Sequence, residues 1–381
     1  MILVYISFLA VKYFAPEAAG SGLPEIEGAL LHVRPIHWHR LLPVKFIFGI
    51  LAISAQMVLG REGPTIHIGG NLGEMLGKLF SLTRRRRDSL IAAGAAAGLS
   101  VAFNAPLAGV IFVMEEMRNQ FNYSFTSFSV VVICCITATV ILELIVGPQP
   151  TIPMGTFELH TLRSLWVFAL FGIVVGYVGY LFNFVLVHTL ELVNKFTPKQ
   201  KSYYVLSVGF CVGLLAYYYP SAVGGGMEII QKSQLMNPGF DFLCFILAVR
   251  FIGTMLCYGT SVPGGIFAPI LSIGALLGLA IFQMLKIVHL DLLTLTEPGM
   301  FIVAGMAALL AAATRSPITG AVIVVEMTQN YLLIFPVMMA CITATIVQQL
   351  VRNEPIYEHL LNVALSKSHS RKKIIQEEWE K

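Results

Sequence analysis

The chain has 381 residues, of which 56% are hydrophobic and only 12% charged, with a mean hydropathy of +0.78. Soluble domains carry about 25% charged residues and about 45–50% apolar ones, so this composition excludes a water-covered globule and points to a chain that lipid covers. The net charge of +4 is too small to mark a nucleic-acid face, and no nucleic-acid partner is expected.

The sequence opens on an apolar run from Met1 to Phe14. It falls short of the roughly 20 residues that a bilayer span needs. It has neither a basic n-region nor a cleavage site, so a signal peptide is not expected, and the first helices of the complete protein are expected upstream. Spans or half-spans are then predicted over 41–59, 66–81, 89–103, 106–117, 125–146, 164–194, 203–219, 241–259, 266–288, 299–313, 317–328 and 331–351. Several are short and broken by Gly or Pro. Broken helices at bilayer depth are tolerated only inside protein or along a cavity, which favours a transporter or channel core.

Basic segments orient the chain. Arg84 to Arg87, Arg118, Lys199 with Lys201, and the charged tail 367–381 are expected on the cytoplasmic side, with 147–163 and 285–298 outside. Cys134, Cys135, Cys211, Cys244, Cys257 and Cys341 lie in apolar stretches without C-x-x-C spacing and read as small membrane hydrophobes.

The sequence also repeats itself. Pro43-Val44-Lys45-Phe46-Ile47 recurs as Ala248-Val249-Arg250-Phe251-Ile252, and Gly63-Pro64-x4-Gly69 as Ala268-Pro269-x4-Gly274, both at an offset of 205. Gly20-Ser21-Gly22 recurs near Gly224-Gly225-Gly226, at an offset of 204. Asn104-Ala105-Pro106-Leu107-x-Gly109 recurs as Arg315-Ser316-Pro317-Ile318-x-Gly320, at an offset of 211 that also places Glu115 on Glu326. The order of the matches predicts a duplicated unit, with residues 1–146 as the first, incomplete repeat and 164–351 as the second. Segment 147–163 links them, 352–366 forms a final helix, and 367–381 is a short tail. Inverted repeats place a transported substrate at their interface near the midplane.

Three of these segments share one design: Gly20-Ser21-Gly22-Leu23-Pro24-Glu25, Gly60-Arg61-Glu62-Gly63-Pro64 and Gly264-Gly265-Ile266-Phe267-Ala268-Pro269. In each, glycines lead into an apolar helical run with a proline near the first turn, where its missing N–H costs nothing. The free N–H groups of a first turn, with the helix dipole behind them, favour an anion. Several such ends at one point could replace the hydration of a small anion without a full positive charge that would hold it too tightly. Each segment alone fits a tight turn for packing; the three together fit an anion site.

At these residues the sequence resembles the CLC family of chloride channels and proton-coupled chloride exchangers, and in particular the bacterial exchangers, from about Tyr13 to about Lys367. The carriers are GSGLPE, GREGP, GGIFAP and the tyrosine of NEPIYEHLL; Leu23 and Ile356 replace other aliphatics. The resemblance implies an all-α polytopic membrane protein with an inverted-repeat fold of broken and half-spanning helices. It assigns a chloride site to Ser21 with Gly22, Tyr357 through its phenol, and the backbone N–H groups of Ile266 and Phe267. The amides of Arg61, Glu62 and Gly63 would form an outer site, which the Glu62 carboxylate occupies when ionised.

Glu62 is itself an anion at a helix start. Burial and the helix dipole act in opposite senses on its proton affinity, so proton capture near working pH is expected; once protonated it would swing out and let chloride in. Glu115, matched by Glu326, reads as structural in both halves. Glu116 matches Met327 and so escapes the symmetry; the resemblance makes it the internal proton-transfer glutamate that marks exchangers. His67 reads as a packing histidine with a proton-path alternative. Lys45 and Arg250 either lend positive potential to the pore or neutralise buried carboxylates.

The expected function is therefore a secondary active antiporter of chloride against protons, in a multi-pass inner membrane location with a cytoplasmic C-terminus. A passive chloride channel is the alternative, and a fluoride or nitrate exchanger is disfavoured by Ser21. The resemblance further implies a homodimer, with 106–117, 125–146, 317–328 and 331–351 at the interface, and a tail too short for paired nucleotide-binding domains. No nucleophile–base pair, metal cluster or phosphate loop is present in the sequence, so neither an enzyme nor a metal or other cofactor is expected.

Overall fold

Apolar runs punctuated by Gly and Pro should fold as helices that stop and restart within the chain. A computed structural model describes residues 1–121, 123–157, 164–235, 238–287 and 297–365, without the side chains of 234, 235 and 287. Its helices are α1 (Ile2–Tyr13), α2 (Leu23–Leu30), α3 (Trp38–Ser54), α4 (Glu62–Leu79), α5 (Arg84–Phe103), α6 (Pro106–Glu115), α7 (Phe125–Val146) and α8 (Leu165–Asn194). There follow α9 (Pro198–Tyr218), α10 (Met227–Leu235), α11 (Phe240–Gly259), α12 (Phe267–Ile287), α13 (Pro298–Thr314), α14 (Pro317–Thr328) and α15 (Ile334–Leu350), then α16 over 356–365. Among the described residues there is no β-strand beyond two isolated bridges.

Local chemistry sets the ends. Proline stands in the first turn of α6, α9, α13 and α14, where no intrahelical N–H is lost. Asn104 and Arg315 close α5 and α13 in the left-handed conformation, at φ 50° and 60°. These equivalent stops let each chain half turn directly into its next proline-led helix.

Several predicted bounds move. The run 41–59 ends its helix at Ser54, because Gln56 takes φ 59° and the chain turns toward Gly60. Helix α5 extends back through the arginines to Arg84, and α9 begins at Pro198 behind a capping box of Thr197 and Gln200. The short helices α2 and α10 lie outside the predicted spans because they carry too few apolar residues to signal one. The predicted 147–163 and 285–298 connections and the 367–381 tail lie wholly or partly outside the described residues.

Among the described residues, five helices are long and apolar enough to cross a membrane: Phe125–Val146, Leu165–Asn194, Phe240–Gly259, Phe267–Lys286 and Tyr331–Leu350. Elsewhere small residues set the packing. A Cβ on Gly94 would lie 2.1 Å from the carbonyl oxygen of Gly69, and one on Gly305 would lie 2.2 Å from that of Gly274. The α4–α5 crossing is thus repeated at α12–α13, each with backbone against backbone, as membrane helices pack when hydrophobic burial between them is weak.

The repeated segments also contact each other reciprocally. Glu115 accepts from the backbone N–H groups of Ile318 (3.1 Å) and Thr319 (2.6 Å), at the start of α14. Glu326 accepts from those of Leu107 (3.2 Å) and Ala108 (2.7 Å), at the start of α6. Each carboxylate caps the other half's helix, as a pseudo-two-fold relation requires. Removing one acceptor leaves two amides without a charged partner, at about 1.5–3 kcal/mol for bonds to a charged group. Glu326→Ala should therefore lower the melting temperature in detergent while leaving the ratio of ions moved unchanged. An altered ratio at unchanged melting temperature would contradict a capping role.

Candidate functional site

Three helix starts meet. The N–H of Gly20 donates to Val262 O (3.2 Å), and that of Gly264 to Gly20 O (3.0 Å). Gly60 and Gly265 exchange both backbone bonds, at 2.8 and 2.7 Å. Four short hydrogen bonds thus tie the loops before α2, α4 and α12 into one cluster. Contact is too close for side chains: a Cβ on Gly63 would lie 2.8 Å from Ser21 Cα, and one on Gly265 would lie 2.9 Å from Gly63 N. Gly22, the N-cap of α2, sits at φ 87°, and a Cβ there would strike the His67 ring at 2.0 Å. Only glycine serves at these positions.

The predicted ligands fall in this cluster. Ser21, Ile266, Phe267, Tyr357 and Glu62 are all buried, and Arg61 lies exposed just before α4. Tyr357, delivered by α16, stacks on Phe267 with ring centres 5.7 Å apart, and Phe103 meets Phe267 edge-on at 6.1 Å. The Tyr357 hydroxyl is buried with no hydrogen-bond partner. A buried hydroxyl left so is costly unless an ion or water completes it.

Glu62 is buried at the first position of α4. Its carboxyl faces its own backbone N–H and that of Ala268, and its Oε2 has no hydrogen-bond partner. The Ala268 amide escaped prediction, although the repeat signals it: Ala268 is the counterpart of Gly63. A cavity of about 300 Å³, lined by Arg61, Gly224, Glu228 and Ala268 among others, reaches Glu62. A second, of about 140 Å³, reaches Gly20, Gly22 and Tyr258. The two share no lining residue, and the buried cluster separates them.

Sequence reasoning also missed three neighbours. Tyr258 donates through its hydroxyl to Ser21 Oγ at 3.4 Å. Ser316, the N-cap of α14, donates to a Glu116 carboxylate oxygen, so the repeat's own Ser-Pro signal marks it. Glu27, buried with Oε2 unpartnered, lies within electrostatic reach of Glu116. Tyr357 in turn lies within reach of Glu27, Glu62 and Glu116, and so sits among all three carboxylates.

The symmetric bases have one shared task. Lys45 donates to Ala18 O (3.0 Å) and Gly20 O (2.6 Å). Arg250 donates to Val223 O (3.0 Å), Gly224 O (3.0 Å) and Ser272 Oγ (3.0 Å). Among the described residues neither forms a close ion pair with a carboxylate, though Glu25 lies within electrostatic reach of Lys45. Each pins the carbonyls of a glycine loop, turning the loop's amides the other way. His67 is buried against Gly22 with Nδ1 unpartnered. Among the described residues no cluster of His, Cys, Asp or Glu could hold a metal ion.

The chain is similar to known proteins over most of its length. The family model described as voltage gated chloride channel matches residues 3–349. The chain is 44% identical over 367 residues to the H(+)/Cl(-) exchange transporter ClcA of Vibrio cholerae, covering 95% of this chain and 78% of that protein. To the same-named protein of Salmonella typhi it is 43% identical over 370 residues, covering 96% and 78%. The crystal structure of a slow cyanobacterial Cl-/H+ antiporter superposes with a TM-score of 0.92 at 36% identity, covering 96% of this chain and 86% of that one. A CLC-type fluoride/proton antiporter shares the fold alone, with a TM-score of 0.76 at 19% identity over 91% of this chain and 84% of that one. With the matched family model spanning nearly its whole length, and its broken helices paired across a pseudo-two-fold, the chain belongs to the voltage gated chloride channel (CLC) family.

Proposed function

We propose that the chain is a secondary active antiporter that exchanges chloride for protons across a bacterial inner membrane. The observation that carries this reading is the coincidence of Glu62 with the clustered helix starts. A carboxylate that faces backbone amides competes with an anion for the same place, so protonating it and binding chloride become linked events. Ser21, Gly22, Tyr357 and the amides of Ile266 and Phe267 form the central chloride site, and the amides of Arg61, Glu62, Gly63 and Ala268 the outer one. Protons reach Glu62 from Glu116, which the Ser316 hydroxyl orients.

The relatives named as H(+)/Cl(-) exchangers support the substrate pair. The chain works as a homodimer, supported by the exposed apolar side chains of Leu107, Ile133, Leu144 and Ile318 on predicted interface helices. In proteoliposomes, an outward chloride gradient should drive protons inward against their own gradient. Chloride efflux with no uphill proton movement would instead make the protein a passive channel.

A further inference from the structure

The four arginines at 84–87 are a topology signal in the sequence; helix geometry divides them. Residues three apart share a face of α5, and Arg84 and Arg87 line a cavity of about 490 Å³ that Arg85 and Arg86 do not enter. Lys78 at the end of α4 and Arg34 from the segment after α2 line the same cavity. Its acidic residues are Glu74 and Asp88, so four cations face two carboxylates there.

The ion pairs leave a positive surplus. Arg34 is held by Glu25, outside the cavity lining. Glu74 is shared between Lys78 at 3.1 Å and Arg87 at 3.7 Å. Asp88 meets His32 Nε2 at 3.4 Å, and Arg84 Nε donates to His32 Nδ1 at 3.2 Å. Arg87 Nε is buried with no partner. The guanidinium groups of Arg84 and Arg87 lining the cavity suit a phosphate, whose oxygens the arginine fork matches.

The rim favours one source of that phosphate. Leu79 and Phe80, at the end of α4, are 72% and 68% exposed, and Leu31 and Val33, beside the cavity, 44% and 51%. Exposed apolar side chains adjoining the cavity-lining His32 and Lys78 in the chain fit a molecule with a charged head and an acyl tail. We propose that this cavity binds the headgroup of an anionic phospholipid, with Arg84 and Arg87 on its phosphate and Leu79 and Phe80 against its chains.

The test compares two double variants with equal charge loss, Arg84→Gln with Arg87→Gln and Arg85→Gln with Arg86→Gln, in the full chain. Retention of phosphatidylglycerol from mixed phosphatidylethanolamine–phosphatidylglycerol vesicles would be measured by native mass spectrometry. The first double variant should hold it about thirtyfold more weakly, as two lost cations near a lipid surface imply; the second should match the unaltered protein. Equal weakening in both would reduce the site to general surface charge and overturn the proposal, as would no weakening in either. Displacement of the lipid by millimolar glycerol phosphate or inorganic phosphate would overturn the lipid source and leave a soluble phosphate compound as ligand. Unchanged chloride efflux and melting temperature in both variants would verify that folding is intact.

Discussion

Proteoliposomes carrying Glu62→Ala are expected to pass chloride while moving no protons. The side chain is buried at the start of α4, its carboxyl over the amides of Glu62 and Ala268 and one oxygen unpartnered. On the proposed mechanism, truncation removes both the proton carrier and the group that fills the outer anion position. The glycine-rich contacts are backbone contacts, with Gly60 and Gly265 bonded to each other rather than to Glu62, so the cluster should survive. Proton flux should fall to background, a complete loss of coupling, while chloride continues at a rate no lower than in the unaltered protein. Proton transport that persisted in Glu62→Ala would remove this residue from the proton route. Parallel loss of both fluxes, with folding intact, would make the carboxylate a structural cap.

Glu116→Gln gives the second large effect, by a different route. Glu116 follows α6 and takes the hydroxyl hydrogen of Ser316 across the interface between the halves. Glutamine keeps an acceptor for that hydroxyl and nearly the same volume, yet cannot release a proton. Chloride conduction should stay within a few-fold of the unaltered rate, and proton flux should drop to background. Asymmetry sharpens the expectation: the neighbouring Glu115 caps α14 and its counterpart Glu326 caps α6. Glu115→Gln should therefore affect the melting temperature more than coupling. Reversal of that order, with Glu115 controlling proton movement, would overturn the assignment of roles.

Much of this was legible in the sequence because the determinants are local. Glycines before a proline-led apolar run specify a helix start, and three such starts mark the cluster in the sequence. The duplicated Asn-Ala-Pro and Arg-Ser-Pro stops marked where α5 and α13 end, and the matched Glu115 and Glu326 read as a structural pair, as their capping bonds show. What escaped depends on contacts between segments far apart in the chain. Tyr258 reaches Ser21 across 237 positions, and no periodicity links them. Lys45 and Arg250 were visible as a symmetric pair, but their carbonyl partners depend on how the glycine loops fold back. The helices α2 and α10 carry too few apolar residues to raise a span signal, yet α2 begins at the Ser21 loop and so presents that hydroxyl. The arginine run divides only once α5 is known to start at Arg84 rather than after the charges.

On the proposed mechanism, one buried carboxylate ties proton uptake to chloride release at a shared place. A reversal potential, measured on the unaltered protein in a planar bilayer under crossed chloride and pH gradients, tests it most directly. At a fixed chloride gradient, the reversal potential should lie between the chloride and proton equilibrium values, and imposing a pH gradient should shift it by an amount set by the ratio of the two ions. A reversal potential that stays at the chloride value whatever the pH gradient would contradict exchange and leave a channel.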